Sequence, residues 1–375
     1  MEYTHQPVLL TECIEGLAIR PDGIYVDGTL GRAGHSREIA KRLTTGRLLC
    51  IDRDQAAIDA AEERLAPWRD RVTLIHSNFD RLGDILREEG IAGVDGMLFD
   101  LGVSSPQLDD PARGFSYMHD APLDMRMDAS APLTAREVVN GWSYEELRRI
   151  LFDFGEERYA PAIAKAICRR REEKPIETTV ELVEVIKSAM PPAALREKQN
   201  PAKRSFQAIR IAVNGELDAL EPMLEAGADA LTPGGRLAVI TFHSLEDRIV
   251  KRTLQRLATG CTCPKEFPVC VCGKKPKLKL VNRKPIVSTP EELEENPRAR
   301  SAKLRIAEVG ASSSCAAFLK KCNGNNTWAG MSPDDAAQQS GIKRISSLLP
   351  ERAAVLYILF QEHVTQSGIA KQYRH

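Results

Sequence analysis

The sequence predicts an α/β fold, a parallel doubly wound sheet with an inserted α-helical domain. Three observations predict it. Short apolar runs (Ile24-Tyr25-Val26, Leu48-Leu49-Cys50-Ile51, Val72-Thr73-Leu74-Ile75 and Met97-Leu98-Phe99) alternate with helical spacings. Acids close the first, second and fourth of these runs: Asp27, Asp52 and Asp100. From residue 135 to about 194 only helical patterns remain, and the strand pattern resumes at Arg236.

Taken in order, Leu9, Leu10, Cys13, Ile14 and Leu17 form an apolar helical stripe ahead of the first strand. That strand ends at Asp27, and Gly28, Gly31 and Gly34 follow at a spacing of three before Ile39, Ala40 and Leu43 resume at helical spacing. Strand, glycine turn and helix let backbone approach a ligand and turn helix N–H groups toward it. The same glycines also suit a purely structural turn. Asp52 closes the second strand 25 positions after Asp27, where a nucleotide fold holds ribose hydroxyls on a carboxylate that accepts two hydrogen bonds. The competing reading is that Asp52 or Asp54 caps the helix beginning at Gln55. The third strand leads into Ser77-Asn78-Phe79-Asp80, and Leu82, Ile85 and Leu86 mark the next helix. Asp27, Asp52, Phe79 and Asp100 thus fall at the carboxyl ends of strands, the edge that binds ligands in such sheets. Together these features favour a nucleoside ligand.

Residues 101–132 are loop-like, and helices are expected over 145–152, 160–171 and 178–189. One long helix is expected over 206–231, burying Phe206, Ile209, Ile211, Val213, Leu217, Leu220 and Leu224. Pro233-Gly234-Gly235 turns into a strand over 236–242, a helix spans 245–257, and Leu304-Arg305-Ile306-Ala307 is a closing strand. The expected organisation is a discontinuous sheet domain, 1–110 and 205–310, a helical substrate-recognition insert, 111–204, and a tail, 311–375, of different composition and unassigned role.

Lysine plus arginine and aspartate plus glutamate balance at 52 each, so no global field draws the protein onto nucleic acid. Local basic patches remain: Lys165, Arg169, Arg170, Arg171, Lys198, Lys203, Arg204 and Arg210, and the run 274–284. They read either as solvated faces or as phosphate contacts. No apolar stretch reaches membrane-spanning length and Met1-Glu2-Tyr3-Thr4-His5 lacks a signal pattern, so a soluble cytoplasmic protein without a membrane partner is expected. The nine cysteines are an odd number, which argues against a secreted disulfide framework. Cys261-Thr262-Cys263 and Cys270-Val271-Cys272 suggest a structural zinc knuckle beside the basic run, with reduced or redox-paired thiols as the alternative.

Seven blocks, in order, carry a family resemblance. They are Gly28-Thr29-Leu30-Gly31-Arg32-Ala33-Gly34-His35-Ser36, Ile51-Asp52-Arg53-Asp54, the stretch from Asp100-Leu101-Gly102 to Gln107-Leu108-Asp109, Leu123-Asp124-Met125-Arg126-Met127-Asp128, Pro233-Gly234-Gly235-Arg236-Leu237, Phe242-His243-Ser244-Leu245-Glu246-Asp247-Arg248 and Asn296-Pro297-Arg298-Ala299-Arg300-Ser301. Over about residues 4–309 the chain closely resembles the bacterial small-subunit ribosomal RNA methyltransferase H family, also called MraW. The resemblance implies a Rossmann-like class I methyltransferase sheet with the helical insert. It also implies an S-adenosylmethionine-dependent enzyme that methylates N4 of a cytidine in the decoding region of 16S rRNA, acting on the small ribosomal subunit. By family pattern, Ala33, Gly34, His35, Asp52, Phe79, Asp100 and Gln107 would contact the cofactor. One departure is Ala33, where the family commonly has glycine; the substitution is expected to be tolerated if that backbone is not left-handed. A homodimer is compatible with the sequence.

The implied chemistry needs no metal, because the cofactor already carries an activated methyl. The cytosine amine is a poor nucleophile, so an acceptor beside it and in-line placement would matter. Asp100 is the candidate acceptor, with a neighbouring backbone carbonyl as the alternative. His243 is a substrate-side candidate, against the reading that Ser244-Leu245-Glu246-Asp247 merely opens a helix as a capping box. Asp124, Arg126 and Asp128 either shape the RNA pocket or form an internal salt-bridge network. Two other function classes compete. A nicotinamide dehydrogenase is disfavoured by the glycine spacing, and a non-catalytic RNA-binding factor leaves the strand-end acids unexplained.

Overall fold

The structure is a computed structural model and describes residues 7–260, 272 and 274–310. Its strands are β1 (Ile24–Asp27), β2 (Arg47–Asp52), β3 (Val72–His76), β4 (Val94–Asp100), β5 (Leu231–Thr241), β6 (Leu278–Leu280) and β7 (Lys303–Val309). They form one sheet in the order β3-β2-β1-β4-β5-β7-β6. β1 to β5 pair in parallel, whereas β7 runs antiparallel to β5 and to β6. The chain moves outward from β1 through β2 to β3, then returns to place β4 on the other side of β1. That reversal falls between β1 and β4, and the carboxyl ends of strands at such a reversal are the position at which doubly wound sheets bind ligands.

Side chains alternate along the central strands, and the alternation sorts them into two cores. Tyr25, Leu48, Cys50, Leu98, Ala238 and Ile240 face one side. They pack against α1 (Leu10–Leu17), α2 (Gly34–Ala40) and α3 (Gln55–Leu65). Val26, Leu49, Ile51, Met97, Phe99, Leu237 and Val239 face the other. They meet α4 (Leu82–Glu88) and, later in the chain, α12 (Leu220–Ala230) and α13 (Ser244–Ala258). Each fully buried aliphatic side chain contributes about 1.5–3 kcal/mol, so both faces hold the sheet.

Between β4 and β5 run α5 (Ser105–Asp109), α6 (Ala135–Gly141), α7 (Tyr144–Asp153), α8 (Ala160–Glu173), α9 (Thr179–Ser188), α10 (Pro192–Leu195) and α11 (Lys203–Asn214). Helices α6 to α9 and α11 share a third core that includes Val138, Leu147, Ile150, Ile163, Ile167, Ile186, Phe206 and Ile209. Capping boxes start several of these helices: Thr134 with Glu137, Ser143 with Glu146, and Thr178 with Glu181.

The long helix expected over 206–231 is two helices. Gly215, left-handed at φ 59°, ends α11, and α12 begins at Leu220. The break lets Phe206 and Ile209 serve the insert's core while Leu220 and Leu224 serve the sheet's. One straight helix cannot face both. The short strand β6 lies within the basic run and has no apolar pattern long enough to announce it. A last helix, α14 (Pro290–Glu295), precedes β7, and Leu9 N–H donates to its Glu292 at 2.7 Å. Among the described residues, no helix is long and apolar enough to cross a membrane.

Candidate active site

The glycine turn is built by a close approach. A Cβ on Gly28 would lie 2.1 Å from Phe99 Cε1, so only glycine lets the chain leave β1 across β4. Asp27 anchors the turn: its Oδ1 accepts Thr29 N–H at 3.1 Å and its Oδ2 accepts the Ser36 hydroxyl at 2.6 Å. Burial pushes the Asp27 carboxyl up to about 6. Ala33 sits at φ 60°, ψ 24° and is 1% exposed. The condition under which alanine was expected to be comfortable here is therefore not met. The backbone is left-handed, a conformation that costs an L-residue about 1–2 kcal/mol.

Asp52 lies at the carboxyl end of β2, and its Oδ2 accepts Gly31 N–H at 2.8 Å while Oδ1 accepts Asp54 N–H at 2.9 Å. Each oxygen keeps a further lone pair, so a diol can still be bound. Helix capping falls to Asp54, whose Oδ1 accepts Ala56 N–H at 3.1 Å. Asp54 Oδ2 receives both Gln107 Nε2 and Arg113 Nη1 at 2.9 Å. Gln107 is buried, and its Oε1 accepts Ser104 N–H at 3.0 Å, closing the capping box of α5. This carboxamide therefore braces the loop after β4 against the start of α3, with one Nε2–H left over. Phe79 stands just past β3, its ring edge-on to Phe99 at 5.9 Å.

Asp100 ends β4, and its N–H donates to Thr29 Oγ1 at 2.6 Å. Its Oδ1 is sealed from solvent and meets no hydrogen-bond partner among the described residues. Its Oδ2 lies 3.9 Å from His35 Nδ1. His35 is buried, and its Nε2 is 3.1 Å from Val8 carbonyl oxygen. A carbonyl can only accept, so the proton sits on Nε2 and Nδ1 turns a bare lone pair toward Asp100. Burial drops His35 to about 4, which keeps the ring neutral. Burial, then Asp27, then Glu246 push Asp100 up to about 8. An orphaned acceptor among acids and a neutral imidazole fits a cationic ligand, such as the sulfonium nucleoside that the resemblance implies.

His243 follows β5 and is the N-cap of α13, one residue earlier than the capping box expected at Ser244. Its Nδ1 accepts Glu246 N–H at 3.4 Å, and Glu246 Oε2 accepts Phe242 N–H at 2.8 Å and His243 N–H at 3.2 Å. The His243 Nε2 lies 3.1 Å from Glu246 Oε1 without the alignment of a hydrogen bond. Although burial opposes it, the His243 imidazole, the Phe242 N–H and the Arg210 charge hold Glu246 below the usual carboxylate range. Glu216 completes a group whose donor atoms lie within 4.8 Å of one another, but its two oxygens each meet Arg210 at 2.9 Å. Sequence reasoning missed Glu246 and Glu216, because neither lies at a strand end.

Arg126 is an internal strut. It grips Asp124 through Nε and Nη2 and donates Nη1 to the carbonyls of Ala129 and Ala131. Asp128 accepts from the N–H and hydroxyl of Ser130. Glu156 ties the insert to α13, accepting the Ser244 hydroxyl at 2.7 Å and Arg248 Nη2 at 2.9 Å. Cys261, Cys263 and Cys270 of the expected zinc knuckle lie outside the described residues, as does the tail 311–375; Cys272 is described and exposed.

Comparison with known proteins adds a family. The model of the MraW methylase family matches residues 2–347, extending past residue 310, where the block resemblance stops. Ribosomal RNA small subunit methyltransferase H of Brevibacillus brevis is 56% identical over 309 residues, 82% of this chain and 98% of that protein. The protein of the same name from a Paenibacillus species is 58% identical over 313 residues, 82% of this chain and 99% of its own. Among solved structures, an rRNA methylase from Streptococcus thermophilus aligns at 11% identity with a TM-score of 0.34, covering 82% of this chain and 98% of that one.

Proposed function

Since the chain belongs to the MraW methylase family, we propose that it transfers a methyl group from S-adenosylmethionine to ribosomal RNA of the small subunit, at N4 of a cytidine in the decoding region of 16S rRNA. The observation that carries the reading is the grouping of Asp27, Asp52 and Asp100 at the carboxyl ends of β1, β2 and β4, around the glycine turn at the sheet's reversal. Relatives above 50% identity over four-fifths of the chain are named ribosomal RNA small subunit methyltransferase H.

The residues divide the work. Asp52 takes the ribose diol on its free lone pairs, and the Ala33-Gly34-His35 backbone faces the methionine moiety from the start of α2. Phe79, held edge-on by Phe99, packs on the adenine. Gln107 reaches the mouth with its remaining N–H. S-adenosylmethionine supplies the activated methyl. Asp100 accepts a hydrogen bond from the target amine, which favours the pyramidal nitrogen that attack requires. His243, fixed by Glu246, flanks the entry of the base, which must leave its stack to reach Asp100. The insert, 111–204, and the basic patches read the shape of the assembled subunit, apart from Arg210, which is tied to Glu216, so naked RNA is the poorer substrate. The zinc knuckle at Cys261, Cys263, Cys270 and Cys272 rests on spacing alone; metal analysis of reduced protein tests it. A homodimer is tested by sedimentation.

The decisive experiment is labelled methyl transfer to unmodified small subunits, followed by mass spectrometry of the nucleosides. N4-methylcytidine at a single position is expected. Label on another base or another atom overturns the assignment.

A further inference from the structure

Asp100 stands where a carboxylate is least welcome. From β1 it faces Asp27, and from α13 it faces Glu246; both raise it. On α1 the thiol of Cys13 is raised by burial and then by the charge of Asp100, so it offers no counter-ion. From α2 it meets His35, whose one proton points away to Val8 and whose Nδ1 offers only a lone pair. Thr29 accepts from the Asp100 backbone N–H and not from its carboxyl. No cationic side chain pairs with Asp100 among the described residues, and its Oδ1 is orphaned. A charge in such a place has no counter-ion until a positive ligand brings one.

We propose that Asp100 carries a proton in the empty enzyme and releases it when a sulfonium nucleoside binds, so that the cofactor's own charge arms the acceptor. The inference rests on the cofactor reading above and deepens it. Its geometric basis is a sealed Oδ1 without a partner and an Oδ2 that lies 3.9 Å from the proton-free Nδ1 of His35, on a side chain that is 26% exposed. The direction of the Asp100 shift, up to about 8 by burial and its acidic neighbours, agrees with it.

The proton count closes over one turnover. Binding of the sulfonium cation expels one proton from Asp100 to solvent. The target amine nitrogen then forms its bond to the methyl carbon as the carbon–sulfur bond breaks, and that electron pair stays on sulfur. The amine proton passes to the Asp100 carboxylate. The product thioether is neutral, Asp100 is protonated again, and the enzyme is back in its resting charge state. The net reaction releases one proton, as methylation of an amine by a sulfonium requires, and the release happens at binding. It follows that the site favours the charged cofactor over its neutral product by the same electrostatics that ready the acceptor.

The test is calorimetric titration of the full chain at about pH 7 with S-adenosylmethionine and, separately, with S-adenosylhomocysteine, in two buffers of different ionisation enthalpy. Close to one proton, about 0.9, should leave per sulfonium bound, and about none per thioether. Affinity for the sulfonium should rise about tenfold per pH unit below about pH 7 and level off above about pH 8, with the thioether nearly flat. Asp100→Asn should bind the sulfonium without proton release. Equal proton counts for the two ligands, or a buffer-independent heat for the sulfonium, overturn the inference while leaving the cofactor reading intact. Failure of both ligands to bind the folded wild-type chain overturns the cofactor reading and the inference together. The wild-type comparison needs no variant to fold.

Discussion

The backbone N–H of Gly31 donates to Asp52 Oδ2 at 2.8 Å, joining the glycine turn after β1 to the end of β2. One carboxylate therefore shapes the turn and also presents free lone pairs to a ligand. On the proposed ribose contact, ligand binding and local stability are coupled at this residue.

Asp52→Ala should weaken S-adenosylmethionine binding by at least about tenfold and lower stability by about 1–3 kcal/mol, because the Gly31 and Asp54 N–H groups lose their acceptor. Calorimetry and urea melts measure the two effects separately. Unchanged affinity in a folded variant contradicts the assigned ribose site.

At Ala33 the left-handed backbone sets the outcome. Ala33→Gly removes steric strain but also a buried methyl worth about 0.8 kcal/mol, so stability should change by less than about 1 kcal/mol. Ala33→Val puts a branched Cβ at positive φ in a site only 1% exposed, and should cost more than about 2 kcal/mol. Thermal melts of the pair check the contrast; similar melting points would show that the turn relaxes.

Arg210 and Glu216 meet through two parallel bonds of 2.9 Å, with side chains 17% and 8% exposed. Glu216→Ala leaves the guanidinium without its partner and should destabilise by about 3 kcal/mol in urea melts. Replacing both residues by apolar ones should cost clearly less.

Stability of the empty protein should depend on Asp100. Its carboxyl is raised from 3.8 to about 8, so the proton it holds stabilises the fold in full below the ordinary value. That contribution is lost as pH rises through about 8. Relative to Asp100→Asn, the wild type should lose stability from about pH 4 to about pH 8, no more steeply than about 1.4 kcal/mol per pH unit, and then level off. Asp27 and His35 lie beside Asp100, so Asp27→Asn in both backgrounds separates the Asp27 contribution from that of Asp100. Urea melts of the two proteins across this range measure it, and a flat difference shows that Asp100 is ionised throughout.

Local pattern determined much of this protein. Apolar runs ending in Asp27, Asp52 and Asp100, and glycines at a fixed spacing after the first, were enough to place the parallel strands and to gather these acids at their carboxyl ends, because strand periodicity and turn sterics act within a few residues. What only the tertiary structure decided is long-range. It broke the expected helix at Gly215 so that its halves serve different cores, and gave Gln107 to Asp54. It also set the N-cap of α13 on His243, left Ala33 left-handed, and surrounded Asp100 with Asp27, Glu246 and a proton-free His35 nitrogen. Burial and charge–charge energy depend on which distant segments share a low-dielectric space, and a linear reading of residues does not contain that neighbourhood.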